Sequence, residues 1–132
     1  MAQVFTGKFR RSLDGKNRVL VPSEIRDSLD AADREGLFLI PSKKCVFLWT
    51  RSYLDSYATL QGADPFKNLQ FNRTFFPQMI FKTFDGTGRI VFPAEVVERF
   101  PDREVLISGN GRYLEAWHPP SFDAEVKAFD PE

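Results

Sequence analysis

The stretch Leu13-Asp14-Gly15-Lys16-Asn17-Arg18-Val19-Leu20-Val21-Pro22-Ser23-Glu24-Ile25-Arg26 returns 71 residues later, with Asp14 matched by Asp85 and Arg26 by Val97. Identity holds at Asp14/Asp85, Gly15/Gly86, Arg18/Arg89, Pro22/Pro93 and Glu24/Glu95, and most other positions swap like for like. A chain of 132 residues that carries the same turn, strand and helix start twice is a duplicated unit. Two units of about 50 residues each are marginal alone, so they are expected to share one core.

The local signals follow the repeat. Val4 to Ser12 reads as a strand, Asp14-Gly15 as a tight turn, and Arg18 to Val21 as the returning strand. Pro22 then opens a short helix over Ser23–Leu29, where its missing N–H does no harm. Strands over Leu37–Ile40 and Cys45–Thr50, and a helix over Arg51–Leu60, complete the first unit. Gly62-Ala63-Asp64-Pro65 breaks that helix, and Phe66–Phe76 is expected to be a connecting helix ended by Pro77. The second unit has strands over Met79–Phe84 and Arg89–Phe92, then a helix over Ala94–Phe100. A hairpin of Glu104–Ser108 and Tyr113–Trp117 around Gly109-Asn110-Gly111 follows. With three residues deleted after the short helix, Trp117 aligns with Trp49, so the match spans a whole β-β-α-β-β-α unit. Hairpin turns require antiparallel pairs, which excludes a parallel βαβ sheet. The expected class is α+β: a mixed β-barrel, or interleaved hairpins, about a pseudo-two-fold axis. The C-terminal Phe-Asp-Pro-Glu is expected to fray.

Net charge is zero, so overall charge names no partner, but its distribution is uneven. Residues 1–22 carry Lys8, Arg10, Arg11, Lys16 and Arg18 against Asp14, whereas residues 95–132 carry nine acids and four bases. Such polarity suits an anionic partner at one face; it also suits two solvated surfaces that compensate. Cys45 is the only cysteine, so no intramolecular disulfide can form, and its apolar run points to packing in a reducing compartment. No signal peptide and no membrane-spanning run is evident, so a cytoplasmic protein is expected.

Enzymatic readings find little support. His118, the only histidine, precedes Pro119-Pro120 and suits a strand end or helix entry. There is no Cys/His cluster for a metal, no Ser/His/Asp set and no phosphate-cradling loop; Gly86-Thr87-Gly88 sits in a hairpin, not at a strand-to-helix turn. Trp49 and Trp117 read as matched core or interface aromatics rather than a ligand stack. The Asp-x-x-x-Arg element has two readings. In one, the Asp caps its turn and the Arg folds back on it; in the other, the tip presents Lys16 and Arg18 to phosphates or base edges. Duplication favours the structural role for Asp14, Asp85 and Arg89. The difference between copies favours DNA contact by the first, because Lys8, Arg10 and Lys16 become Met79, Phe81 and Thr87, while Arg11 becomes Lys82. A neutral chain binds DNA weakly as a monomer but can do so as an oligomer that multiplies one basic patch. A non-catalytic scaffold whose basic hairpin docks an acidic protein is the alternative.

The doubled Asp-x-x-x-Arg, each followed by an apolar triplet and Pro, with Gly7 upstream and Trp49 and Trp117 closing the units, resembles the MraZ family of the AbrB-like swapped-hairpin superfamily. The resemblance covers nearly the whole chain. It implies two fused swapped-hairpin units, expected at 8–54 and 79–122, with a connecting helical segment at 55–78. It implies a transcriptional regulator, usually a repressor, at the promoter of the cell-division and cell-wall gene cluster. It further implies a homo-oligomeric ring, an octamer or larger, on direct repeats of double-stranded promoter DNA at the nucleoid. No catalysis, cofactor, metal or small-molecule substrate is implied. Family DNA-binding residues carry over to Lys16 and Arg18, with Lys8, Arg10 and Arg11 as nearby candidates. Two positions depart from the family pattern, as does the stretch Phe75-Phe76-Pro77-Gln78, where the family is rich in small residues. Asn17 replaces a usual Gly in the turn, which Asn can do because it tolerates the left-handed conformation, and Thr6 replaces a usual Arg.

Overall fold

β1 (Lys8–Ser12) runs into the first Asp-Gly turn, yet it does not pair with β2 (Arg18–Leu20), the strand that leaves that turn. The computed structural model describes residues 3–61 and 67–128, with only the backbone of Leu60 and Gln61. The expected break at 62–65, the start of the connecting helix at Phe66 and the frayed last four residues lie outside the described residues. After β2 come α1 (Ser23–Ser28), a 3-10 turn (Ala31–Asp33), β3 (Gly36–Pro41), β4 (Val46–Trp49) and α2 (Arg51–Gln61). Next are α3 (Leu69–Phe75), a 3-10 turn (Phe76–Gln78), β5 (Ile80–Thr83), β6 (Arg89–Val91) and α4 (Ala94–Val97). β7 (Glu104–Gly109), β8 (Leu114–Trp117) and α5 (Pro119–Lys127) end the described chain.

The class is α+β, and every strand pair is antiparallel. Six strands form one sheet in the order β1-β7-β8-β4-β3-β5, and β2 pairs with β6 in a separate ribbon. The order reads the same from either end once each strand is exchanged for its copy. Registers agree: Val19 faces its counterpart Ile90, and Phe47 faces its counterpart Glu115. Ser12 opposite Glu104 in one half becomes Thr83 opposite Gly36 in the other. Outer strand β1 therefore belongs to the first copy but bonds the second, and β5 does the converse.

Two expectations are corrected. The strands do not close into a barrel: a six-stranded sheet and a two-stranded ribbon are packed together. The two Asp-Gly turns do not join hairpins, although β3–β4 and β7–β8 are hairpins as expected. Each Asp-Gly turn is closed locally, Asp14 N–H donating to Arg18 O at 3.0 Å and Asp85 N–H to Arg89 O at 2.8 Å, and the chains then part. The α4 helix is also shorter than expected. After Glu98 its bonds tighten to Arg99 N–H→Val96 O and Phe100 N–H→Val97 O, a 3-10 pattern that turns Phe100 into the core.

Alternation decides the two faces of the sheet. Leu37, Leu39, Val46, Leu48, Val105, Ile107, Leu114 and Ala116 point inward. There they meet Val19 and Ile90 of the ribbon, Ile25 of α1 and Val96 of α4. Both copies contribute to this single core, as the size argument requires. The outer face carries Phe47, Trp49 and Tyr113, against which Tyr53 and Tyr57 of α2 and Phe75 of α3 pack. Trp49 and Trp117 are both buried at matched strand ends. Cys45 is buried beside Leu106 and Trp117, and burial pushes its thiol up to about 12, so it acts as packing. His118 takes the helix-entry position of α5, its Nε2 3.3 Å from Asp102.

Candidate nucleic-acid interface

Because β2 pairs with β6, the two Asp-x-x-x-Arg turns sit side by side across the pseudo-dyad. Asp14 Oδ1 accepts the backbone N–H groups of Lys16 and Arg18, both at 2.9 Å, and its Oδ2 accepts Arg18 Nε–H at 2.7 Å. Asp85 repeats this with Thr87 N–H, Thr87 Oγ1–H and Arg89 N–H at 2.9 Å, and Arg89 Nε–H at 3.1 Å. The four groups then link across the axis. Arg89 Nη1 lies 3.5 Å from Asp14 Oδ2, and Arg18 Nη1 lies 3.8 Å from Asp85 Oδ2. The backbone N–H of Arg18 is the main reason the Asp14 carboxyl is lowered to about 2; the N–H of Arg89 lowers Asp85 further. Both carboxylates are thus held ionised, and each fixes an arginine through its Nε edge.

Alternation on the ribbon determines what faces outward. Val19 and Ile90 are wholly buried, so Arg18, Leu20, Arg89 and Val91 share the opposite face. Leu20 and Val91 are 38% and 41% exposed, unusual for aliphatics in matched positions. Lys16 is exposed at the tip of the first turn. Asn17 has φ 61° and its counterpart Gly88 φ 88°, so Asn does take the left-handed position.

The structure splits the five basic candidates. Lys16 and Arg18 stand together at the turn. Arg11 lies at the sheet edge on the ribbon side, its Nη1 donating to the Arg10 carbonyl at 2.7 Å and its guanidinium 6.0 Å from the Phe9 ring. Lys8 and Arg10 alternate to the outer face, where Lys8 stands 5.9 Å from the Phe122 ring. Those two are not brought together with Lys16 and Arg18. Three cations missed at the sequence level flank the turns instead. Arg103 donates from Nη2 to Asn17 Oδ1 at 2.9 Å and to the Asp14 carbonyl. Arg26 and Arg34 line a cavity of about 370 Å³ beside the second turn, each anchored through Nε to a backbone carbonyl, Val21 O at 2.8 Å and Leu29 O at 2.9 Å. No local motif marks them, because strand exchange brings each to a turn remote in sequence or on the other copy. Among the described residues, no cluster of three His, Cys, Asp or Glu could hold a metal ion, and no helix is long and apolar enough to cross a membrane.

The chain is 30% identical to the transcriptional regulator MraZ of Dehalococcoides mccartyi strain BAV1, over 95% of this chain and 89% of that protein. It is 29% identical to its namesake from strain 195 of the same species, with the same coverage. Against the transcriptional regulator MraZ of Rickettsia akari the identity is 25%, over 95% of this chain and 88% of the relative. No family model matches the chain.

Proposed function

The chain belongs to the MraZ family, and we propose that it is a DNA-binding transcriptional regulator whose paired turns make the contact. The observation that carries this reading is the outward ribbon face, with Arg18 and Arg89 side by side and Lys16 exposed at the tip. A two-stranded antiparallel ribbon fits the major groove of B-form DNA, where arginine can take guanine O6 and N7 together. Asp14 grips Arg18 by Nε and, among the described residues, leaves the Nη end with the longer 3.8 Å link to Asp85. That end can turn to a base while the grip on Nε sets its direction. Lys16 supplies a point charge for a phosphate. Arg11 extends the basic surface on the ribbon side, and Lys8 and Arg10 add only to the long-range field.

The finer reading follows the family resemblance. The chain is a repressor of the cell-division and cell-wall gene cluster, acting in the cytoplasm at the nucleoid as a ring on promoter direct repeats. Its units are swapped hairpins at 8–54 and 79–122 joined through 55–78. Strand exchange between the copies supports that description. A net charge of zero supports multivalent binding over strong binding by one chain.

A gel shift on the protein's own upstream DNA, run over a salt series, tests the reading. Arg18→Ala should abolish binding and leave assembly intact. Lys16→Ala should reduce the slope of log K against log salt by about 0.9 for one lost phosphate contact per chain engaged. Wild-type affinity in Arg18→Ala would sink the proposal.

A further inference from the structure

The two copies are covered unequally on the outer face of the sheet. Trp49 is ringed by Tyr53, Tyr57, Phe75 and Tyr113, at centroid distances of 4.7, 5.0, 5.3 and 6.1 Å. Among the described residues, its counterpart Trp117 has Phe122 alone, at 5.7 Å. α5 begins two residues after Trp117 as α2 begins two after Trp49, but it carries Ser121 and Glu125 where α2 carries Tyr53 and Tyr57. The missing rings leave a cavity of about 540 Å³ beside α5, lined by Trp117, Phe122, Val126, Glu115 and Lys8 among others. Val126, at its rim, is 55% exposed.

α3 has the opposite imbalance: among the described residues, its rings are incompletely covered. None of its residues is buried. Phe71 is 46% exposed and stacks on Phe75 at 4.9 Å with an interplanar angle of 20°. A run of rings thus leads from buried Trp49 through Phe75 to the surface. The charges are complementary as well. α3 carries Arg73 and no acid, whereas α5 carries Asp123 and Glu125 against Lys127 in its last turn, and Glu125 is already paired with Lys44 at 2.9 Å, which leaves Asp123 for a cation.

We propose that the α5 cavity receives α3 of a second copy of this chain, with Phe71 entering beside Trp117 and Arg73 meeting Asp123. An exposed ring and an unfilled aromatic site are thereby covered together, as core aromatics of interfaces are. Because the two surfaces differ, the contact is head-to-tail and can close into a ring. The inference deepens the ring reading and rests on it.

The test measures the mass of the full chain by analytical ultracentrifugation, with far-UV circular dichroism as the check on folding. Wild type should be a multimer. Phe71→Ser and Val126→Arg, both at exposed positions, should each be a folded monomer. Mixing them rebuilds one sound contact and should yield a two-chain species. A monomeric wild type overturns the ring reading and this interface together. A multimeric wild type whose two variants also assemble overturns this interface alone. Dispersal by Val126→Arg but not by Phe71→Ser overturns the assignment of Phe71 as the occupant. If either variant loses its spectrum, a charge reversal decides. Arg73→Glu should dissociate the assembly and Asp123→Arg in the same chain should restore it; failure of either step overturns the contact.

Discussion

Gly88→Ala should destabilise the protein far more than the same change at Gly86, two residues away in the same turn. Gly88 has φ +88°, and an L-residue in the left-handed region costs roughly 1–2 kcal/mol. An added Cβ would also collide with the Arg26 guanidinium, which lies against the Gly88 Cα. That guanidinium is the mobile end of a long side chain, so it can swing away. The added penalty is then capped at the loss of its 2.8 Å bond to the Val21 carbonyl. A hydrogen bond to a charged group contributes about 1.5–3 kcal/mol. The sum is about 2.5–5 kcal/mol, a large part of the 5–15 kcal/mol typical of a native domain. Gly86 and Gly15 have no neighbour within 4 Å of an added Cβ, and neither has positive φ. There Ala should be neutral or stabilising by up to about 1 kcal/mol, because it restricts the unfolded chain. Urea denaturation at fixed protein concentration measures all three. In an Arg26→Ala background the collision disappears, and Gly88→Ala should then cost only the backbone part, about 1–2 kcal/mol. Equal effects at Gly88 and Gly86, or no coupling between Gly88 and Arg26, would refute the geometry of the second turn.

Phe100 is 1% exposed and packs on Phe92 at 5.6 Å, so Phe100→Ala should cost about 3–5 kcal/mol in the same denaturation assay. Asp14 titrates near 2 when folded against 3.8 unperturbed, so its contribution is complete above about pH 4 and is lost as pH falls through 2. Stability curves of wild type and Asp14→Asn should therefore converge between pH 4 and pH 2; a constant offset would contradict the capped turn. A fragment of residues 1–61 lacks β7, the partner of β1, and β6, the partner of β2. At low concentration its circular dichroism should be that of an unfolded chain, and a folded monomer would show that the strands pair within one copy.

Much of the local structure was legible because its signals are local. Asp-Gly followed by a β-branched run and Pro marks turn, strand and helix start from nearest-neighbour chemistry. The capping of Asp14 and Asp85 was legible for the same reason, since each bond spans two or four residues. The pairing of β1 with β7 was not, because alternation tells which side of a strand is buried but not which strand lies beside it. The same limit hid Arg26, Arg34 and Arg103. Each is an ordinary cation in its own segment and acquires a role only against a distant turn. It also separates Lys8 and Arg10 from Lys16: the three are close in sequence, but alternation along β1 turns the first two to the outer face.

The sequence by itself determined that one unit occurs twice and that its elements are short strands and helices, and duplication favoured self-capped Asp-x-x-x-Arg turns. These properties depend on dihedral preference and bonds a few residues long. Only the tertiary structure decided that each copy completes the other's sheet, and that the two turns become neighbours sharing four charges. It also decided that, among the described residues, Trp49 is ringed by four aromatics while Trp117 meets Phe122. Those outcomes depend on which apolar faces find each other, and burial without direction can be satisfied by any partner of the right shape. The duplicated motif supplies both partners, and packing settles that they cross.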